Sequence, residues 1–379
     1  MRTIQPRRVG VEEGLKTGLR NVWNPILQSA KLTDKPVGIK RLGEDLVLWR
    51  AGDGKPRLFA DLCPHRGAKL SLGHVLDGTL NCWYHGFQFS ESGQCIGVPI
   101  EGGECKLSKR VRVKTYPVEE RAGLIWAYIG ETDLFVPPPL VLPDEMEDPE
   151  WTGFIFEATW NTSWLLLLDN LADVMHAPYL HARSYTLGKG IKHDHLKVID
   201  LADGFRVERE KQQGVNFDWA EFHNTGALWF KLDIPYPWSA GPGGPMRIVG
   251  FSIAIDADHA LIYFVRMRRV QGWQRTLWRN LYKARLEGKS FQVVEQDRVI
   301  LESQRGLQSR LAEHLSQSDV GVIRLRKLLN MEFARQQEIY NRAIEFSITS
   351  SHADALETEQ EDFVPIQVED GTNEAVVFS

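Results

Sequence analysis

The feature that most constrains the fold of this chain is a pair of short cysteine–histidine motifs. The first reads Cys63-Pro-His65-Arg-Gly67 and the second reads Cys82-Trp-Tyr-His85-Gly86, with sixteen residues between His65 and Cys82. Each motif lies at the end of a short run of strand-forming residues, as two facing loops that clamp a metal require. The glycines allow the loop backbone to approach a ligating sulfur closely and to donate N–H bonds to it. Two thiols and two imidazoles in this spacing predict a metal-binding β domain.

Three interpretations of this set are open: a structural zinc ion, a [2Fe–2S] cluster, or no metal. Zinc sites usually pair their cysteines as C-x2–4-C, whereas each half here carries one cysteine and one histidine. The mixed order suits two half-sites that each give one ligand to each iron of a cluster. The chain has two further cysteines, Cys95 and Cys105, and we expect both to be ordinary small apolar residues.

Composition narrows the class of protein. The chain has 379 residues, which is enough for two or three domains. Its first residues include no apolar signal region, and four cysteines are too few for a disulfide scaffold, so we expect a cytoplasmic protein. No run of 18 apolar residues is present, so we expect no membrane span. The net charge of −5 excludes a strongly basic nucleic-acid surface. The acidic segment 352–379, with eight Asp/Glu and no Lys/Arg, predicts a solvated end.

Short strand-like runs broken by turns fill residues from about 36 to 130 and predict a small antiparallel β domain. The proline-rich stretch 135–143 cannot be helical and is expected to be a connector. A helix is then predicted at about 164–175, strands at 247–255 and 260–267, and long helices near 273–313 and 319–346. The second half is therefore α+β, a sheet with helices on it. We predict domains at 1–143 and 144–379.

A second group of candidate ligands lies in the predicted helix at 164–175 and just beyond it. Asn170, Asp173 and His176 are spaced by three, and His181 follows five residues after His176. On a straight helix the two histidines point about 140° apart, so both can face one metal only if the helix opens between them. Pro178 lies between the two histidines and predicts that break. Two unrelated helix histidines are the alternative.

A third ligand has to come from elsewhere, and the candidate is Asp297. Helical spacing places Val294, Asp297 and Leu301 on one stripe, with Glu295 and Glu302 on another side. A carboxylate on an apolar stripe is costly unless it meets a cation or hydrogen-bond donors, so a locally paired aspartate is the alternative. Two histidines and one carboxylate with open positions are the facial triad of O2-activating iron(II).

Together these residues resemble the Rieske non-haem iron aromatic ring-hydroxylating oxygenases over roughly residues 18–345, and most of all the carbazole and phthalate dioxygenase-type group. The resemblance implies that Cys63, His65, Cys82 and His85 bind a Rieske [2Fe–2S] cluster. It also implies that His176, His181 and Asp297 bind a mononuclear Fe(2+), with Asn170 close by. The fold it implies is α+β: an N-terminal antiparallel β Rieske domain, then a catalytic domain with an antiparallel sheet covered by helices, a helix-grip-like arrangement.

The same resemblance implies a terminal oxygenase that uses O2 to hydroxylate an aromatic or polycyclic substrate, with monooxygenation or O- or N-demethylation as the alternative. The chain lacks a G-x-G-x-x-G motif, so electrons are expected from a separate ferredoxin or NAD(P)H-dependent reductase. In the family, subunits form homotrimers, and the residue matching Asp173 bonds to a cluster histidine of the neighbouring subunit. The alternative is that Asp173 only caps a local turn.

Two rival functions are a pure electron carrier and a zinc-stapled ligand-binding protein. Six aromatic residues are candidate pocket walls: Phe217, Trp219, Phe222, Trp229, Phe230 and Trp238.

Overall fold

The structure, a computed structural model, describes residues 10–102, 110–184, 187–214, 217–236 and 241–361. Cys105, Trp238 and the last part of the acidic segment lie outside these ranges. One compact unit spans Val9–Ala334 and contains every site discussed below. The other unit comprises Met1–Arg8 and Arg335–Ser379, and its described part is the C-terminal portion of one long helix.

A short helix and three small antiparallel sheets make up the N-terminal part of the compact unit. The sheets have the strand orders β1-β11-β10, β2-β3-β4-β9 and β5-β6-β7-β8. Their elements are α1 (Val11–Leu15), β1 (Trp23–Gln28), β2 (Val37–Arg41), β3 (Glu44–Arg50), β4 (Pro56–Ala60), β5 (His74–Leu76), β6 (Thr79–Asn81), β7 (Gln88–Phe89), β8 (Cys95–Gly97), β9 (Thr115–Tyr116), β10 (Val118–Arg121) and β11 (Leu124–Tyr128). The predicted antiparallel β domain is confirmed.

Two of these sheets, β2-β3-β4-β9 and β5-β6-β7-β8, share a hydrophobic core that reaches the cysteine–histidine loops. Trp49, Phe59 and Phe89 are buried in the same cluster as Cys63 and Cys82. The first loop follows β4 and the second joins β6 to β7, so both loops begin at the end of a strand as predicted. Cys95 is buried in this core as well, as expected of a small apolar residue.

A seven-stranded antiparallel sheet of order β12-β18-β17-β16-β15-β14-β13 dominates the rest of the compact unit. Its strands are β12 (Trp151–Trp160), β13 (Leu196–Leu201), β14 (Gly204–Arg209), β15 (Trp219–Asn224), β16 (Leu228–Ile234), β17 (Met246–Ala254) and β18 (Ala260–Arg269). The helices are α2 (Trp164–Ala172), α3 (Ala177–Leu180), α4 (Gly272–Leu281), α5 (Glu287–Glu302) and α6 (Val320–Glu361). A π-helical turn, Tyr282–Leu286, joins α4 to α5.

Helices α2 and α5 place apolar residues against one face of this sheet. The shared core holds Leu167 and Leu168 of α2, Val294 of α5, and Phe230 and Phe264 of the sheet. The predicted α+β class, with helices covering an antiparallel sheet, is therefore confirmed. The long helix predicted near 273–313 is divided: its helical run ends at Glu302, and a 3-10 helix, Gly306–Ala312, follows. None of the described helices is long and apolar enough to cross a membrane.

Candidate metal centres and substrate cavity

The two cysteine–histidine loops repeat the same backbone turn. Gly67 donates its N–H to the carbonyl of Cys63 at 2.9 Å, and Gly86 donates to the carbonyl of Cys82 at 3.0 Å. Both glycines adopt left-handed backbone angles, with φ of 74° and 72°, a region that side chains with a Cβ rarely occupy. The glycine four residues after each cysteine therefore closes each loop, and the two loops present equivalent ligand pairs.

The candidate cluster ligands form two pairs, the buried thiols of Cys63 and Cys82 and the half-buried rings of His65 and His85. The imidazole rings of His65 and His85 are 4.6 Å apart, and His65 stacks on Phe87 at 4.5 Å. The Nδ1 atom of His85 is buried with no hydrogen-bond partner. Burial, with the neighbouring Cys82 thiol, raises the pKa of the Cys63 thiol to about 11, so a bound cation is needed to favour its thiolate at neutral pH. Buried thiols and an unpaired imidazole nitrogen fit a cluster.

The helix that carries the second group of ligands ends earlier than the sequence predicts. Helix α2 stops at Ala172, and Asp173 has extended backbone angles. His176 then occupies the N-cap position of the single-turn helix α3, and His181 occupies its C-cap position. The predicted break between the two histidines at Pro178 is thus wrong. Pro178 lies in the first turn of α3, where its missing N–H costs nothing, and the chain breaks before His176 instead.

This short helix brings both histidines to Asp297 of α5. The Nε2 atoms of His176 and His181 lie 3.4 Å and 3.2 Å from the Oδ1 atom of Asp297. All three ligand atoms lie within 4.8 Å of one another, and both Nε2 atoms are buried without a hydrogen bond. Ligands about 2.1 Å from a metal and at right angles to each other lie about 3 Å apart. The geometry therefore fits a two-histidine, one-carboxylate metal centre.

Two acceptors hold the histidine rings in the orientation that a metal needs. Nδ1 of His176 contacts the main-chain carbonyl of Asp173 at 2.5 Å, and Nδ1 of His181 contacts Oε1 of Gln296 at 2.8 Å. An acceptor at Nδ1 fixes the proton there and leaves Nε2 as the ligating atom. Gln296 was missed at the level of sequence, where the only hint was its place beside Asp297.

The carboxylate of Asp173 does not accept the ring N–H of His176. Its Oδ2 atom is 3.9 Å from Nδ1 of His176, which is beyond hydrogen-bond range. Its Oδ1 atom accepts the backbone N–H groups of Met175 and His176 at 2.8 Å and 3.2 Å. Among the described residues none donates to Oδ2. The Asp173 carboxylate therefore caps the turn through one oxygen and leaves the other available.

Electrostatics at the triad favour a bound cation. Burial alone raises the pKa of Asp297, but His176 and His181 outweigh it and hold that pKa below its ordinary value. The carboxylate is therefore ionised at neutral pH. The two other candidate carboxylates of α5, those of Glu295 and Glu302, both form ion pairs with Arg298 and are therefore not the third ligand. Nδ2 of Asn170 lies 3.5 Å from Oδ1 of Asp297, a weak contact at the edge of the site.

A cavity of about 270 Å³ opens beside the triad, and its wall includes Asn170 and Asp297. Most of the remaining wall is apolar and comes from the sheet and from α5, as in Leu232, Phe264 and Val293. Cavities of this kind are the usual sites for small organic ligands. The arrangement places an apolar ligand next to the Asp297 carboxylate.

Two of the six aromatic residues proposed as pocket walls line this cavity, Phe217 and Phe230. The ring of Phe217 also meets His176 edge-on at 5.4 Å. Successive residues of a strand face opposite sides, so Trp229 stacks on His223 across the sheet from Phe230. Trp219 and Phe222 are likewise not part of the wall, because Trp219 lies under Arg206 and Phe222 stacks on Phe205 in the core.

Comparison with known proteins agrees with both centres. Residues 22–117 match the model of the Rieske [2Fe-2S] domain, and residues 160–334 match that of the vanillate O-demethylase oxygenase C-terminal domain. The chain is 30% identical to the phenoxybenzoate dioxygenase subunit alpha of Ectopseudomonas oleovorans, over 88% of this chain and 85% of that protein.

Solved structures show the same fold. Dicamba monooxygenase bound to dicamba aligns with a TM-score of 0.65 at 22% identity, over 84% of this chain and 98% of that one. A carbazole 1,9a-dioxygenase oxygenase, solved with fluorene and its ferredoxin, aligns with a TM-score of 0.69 at 21% identity, over 83% and 91%. A pure electron carrier and a zinc-stapled binding protein are both excluded by the match of two domains and a full-length relative. The chain belongs to the Rieske non-haem iron oxygenases, enzymes that contain a [2Fe-2S] cluster and a mononuclear iron.

Proposed function

We propose that this chain is the terminal oxygenase of a multicomponent system that dihydroxylates an aromatic ring, with Cys63, His65, Cys82 and His85 as cluster ligands. The observation that carries the proposal is the convergence of His176 and His181 on Asp297, which itself lines an apolar cavity. When bound, the iron supplies O2 activation and the cluster supplies single electrons. The relatives of this chain include a phenoxybenzoate dioxygenase subunit and a vanillate O-demethylase oxygenase subunit, so demethylation is the second candidate reaction.

The chain's own residues would position the substrate and exclude water from the part of it that they contact. Leu232, Phe264 and Val293 line the cavity and bind a ring by excluding water from it. Gln296 and the carbonyl of Asp173 hold the rings of His176 and His181, so that their Nε2 atoms and the Asp297 carboxylate would be the ligands of a bound iron. The outcome, two hydroxyl groups on a ring or one oxygen on a methyl group, then depends on which substrate carbon the walls hold nearest to the metal.

Electron delivery is proposed to come from a separate ferredoxin or NAD(P)H-dependent reductase. The surface of the second cysteine–histidine loop suits such contacts, since Trp83 is 74% exposed and Tyr84 is 55% exposed. Large exposed aromatic side chains beside a redox centre mark protein-binding surfaces. The related carbazole 1,9a-dioxygenase has been solved in complex with its ferredoxin.

We also propose a homotrimer in which Asp173 links the iron centre of one subunit to a cluster histidine of the next. A head-to-tail ring is the closed assembly that brings one subunit's cluster beside another subunit's iron. The support is the carboxylate itself: its side chain is 30% exposed, and its Oδ2 atom receives no hydrogen bond from the described part of the chain. A cytoplasmic location and a domain boundary after Pro143 complete the proposal.

Substituting Asp173 tests this link. Asp173→Ala is expected to keep the brown colour and most of the mononuclear iron, while turnover is nearly lost because electrons no longer cross between subunits. The prereduced cluster of the variant should reoxidise very slowly with substrate and O2 in stopped-flow measurements. Rapid reoxidation, or a fully active monomer in light scattering, would contradict the cross-subunit route.

The reaction itself is tested with isotopically labelled oxygen. The purified chain, a surrogate ferredoxin and reductase, NADH and 18O2 are incubated with a panel of phenoxybenzoates and methoxybenzoates. Two 18O atoms in one ring product indicate dihydroxylation, whereas formaldehyde release indicates demethylation. Asp297→Ala is the matched control, since it removes a proposed iron ligand and leaves the cluster intact. Oxidation of NADH to yield only hydrogen peroxide, for every compound, would contradict an oxygenase.

A further inference from the structure

A buried arginine interrupts the apolar sheet face that lines the cavity. Arg266 of β18 lies opposite Phe154 of β12 on one side and Ile248 of β17 on the other, and Ile248 in turn pairs with Leu232 of β16. Residues in register across neighbouring strands share a face of the sheet. Arg266 is therefore a cation in a row of apolar side chains, only 3% exposed, and it forms part of the cavity wall.

The guanidinium of Arg266 has an unused hydrogen-bonding edge. Its Nη1 atom donates to the Tyr282 hydroxyl at 2.9 Å, and its central carbon lies 4.7 Å from the centre of the Phe156 ring. Its Nε atom is buried without a hydrogen-bond partner, and Nη2 donates to none of the described residues. No carboxylate within the described ranges lies within 4 Å of this side chain. An uncompensated buried cation is unfavourable, and a bound anion would compensate it.

The arginine lies toward the end of the cavity that is remote from the triad. Helix α5 and the π turn before it line the cavity from Asp297 back to Leu286, eleven residues or about 16 Å of helix. Tyr282, the partner of Arg266, lies one turn further along the same run. Because the side chains of Arg266 and Asp297 both extend into the cavity from its wall, a ligand that touched both would be shorter than that run, with a length on the order of 10 Å.

We propose that Arg266 binds the carboxylate of the substrate, and that the substrate is an aryl carboxylate about two aromatic rings long. The inference rests on the proposed oxygenase function, since it names the substrate class of that cavity. The Nε and Nη2 atoms form the planar edge that binds both oxygens of a carboxylate. Phe264 and Ile248 then contact the rings, and the ring remote from the carboxylate lies beside His176, His181 and Asp297.

Ligand binding, measured without turnover, tests this assignment. Titration calorimetry on the anaerobic, iron-loaded enzyme compares 3-phenoxybenzoate with 3-phenoxybenzamide, which has the same shape and no charge. The acid is expected to bind about 10- to 100-fold more tightly, the range of a charge-assisted hydrogen bond at a buried site. Benzoate, which is too short to reach both ends, should bind more weakly than 3-phenoxybenzoate. Because this comparison uses the wild-type protein, it does not depend on the folding of a variant.

Three variants then locate the anion-binding group. Arg266→Gln should remove the preference for the acid while changing the affinity for the amide only a few-fold. Arg268→Gln is the matched control: Arg268 is buried two residues further along β18 and donates to the carbonyl oxygens of Gly241 and Gly244, so the preference should remain. Lys289→Gln should also keep it, although Lys289 contributes to the cavity wall on α5.

Several results would overturn the assignment. Equal binding of acid and amide to the wild-type enzyme, or no binding of the acid, would show that the cavity does not recognise a carboxylate. If the preference for the acid disappears in Lys289→Gln and persists in Arg266→Gln, the carboxylate binds to Lys289 and not to Arg266. A chain that prefers the acid through Arg266 but never incorporates 18O would instead refute the oxygenase proposal and leave this binding site standing.

Discussion

Replacing Gln296 tests whether the orientation of His181 determines iron affinity. His181 has no exposed surface, and its Nδ1 atom contacts Oε1 of Gln296 at 2.8 Å. Gln296→Leu keeps the approximate size of the side chain and removes the acceptor. A buried donor left without a partner costs about 1–3 kcal/mol, which corresponds to about a 5- to 150-fold change in affinity. Loss of a group that orients a metal ligand lowers metal affinity by about 10- to 100-fold, so the two magnitudes agree.

The assay is iron retention against a graded concentration of an Fe(II) chelator, with the brown colour as an internal reference for the cluster. Gln296→Leu should release its mononuclear iron at about 10- to 100-fold lower chelator concentration than the wild-type chain does. Gln296→Glu restores an acceptor and should recover most of the retention, and Gln304→Leu, an exposed site just beyond α5, should change nothing. Equal retention in Gln296→Leu and the wild-type chain would refute the reasoning.

Three further outcomes are expected. Cys82→Ser should abolish the brown colour and the low-g EPR signal and lower the melting temperature, since cluster ligation supports the small β domain; a colourless wild-type chain with one zinc would contradict this. Asp297→Ala should lower iron from about three to about two per chain with the colour kept, as elemental analysis would show. Burial alone raises the pKa of Glu221. The contacts with His223, Lys231 and Arg206 outweigh the effect of burial and lower this pKa to about 2. Glu221 therefore stabilises the fold above about pH 4.5 and loses that contribution as pH falls toward 2, so Glu221→Gln should lower the free energy of unfolding by roughly 3 kcal/mol at pH 7 and by little at pH 2, measured in urea.

The cysteine–histidine pairs and the histidine pair were the most predictable part of the molecule because the members of each pair lie close together in sequence. Cys63 and His65 share one loop, His176 and His181 share one helical turn, and such spacing can be recognised without a structure. The position of the helix break could not be predicted in the same way. Pro178 looks like a helix breaker in the sequence, but the first turn of a helix tolerates proline, and only the structure shows that α2 has already ended at Ala172.

The residues that select a substrate are harder to predict because strand β18 is buried on both faces. A strand with one exposed face reveals its orientation through alternating polar and apolar residues, but Ala260 to Arg268 are all buried. The sequence therefore does not show whether Arg266 faces the cavity or the opposite side. The register with Phe154 and Ile248 decides that question, and Phe154 lies more than a hundred residues from Arg266 along the chain. Ligands grouped within one loop or turn can thus be predicted from sequence, whereas a specificity residue set by strand register requires the fold.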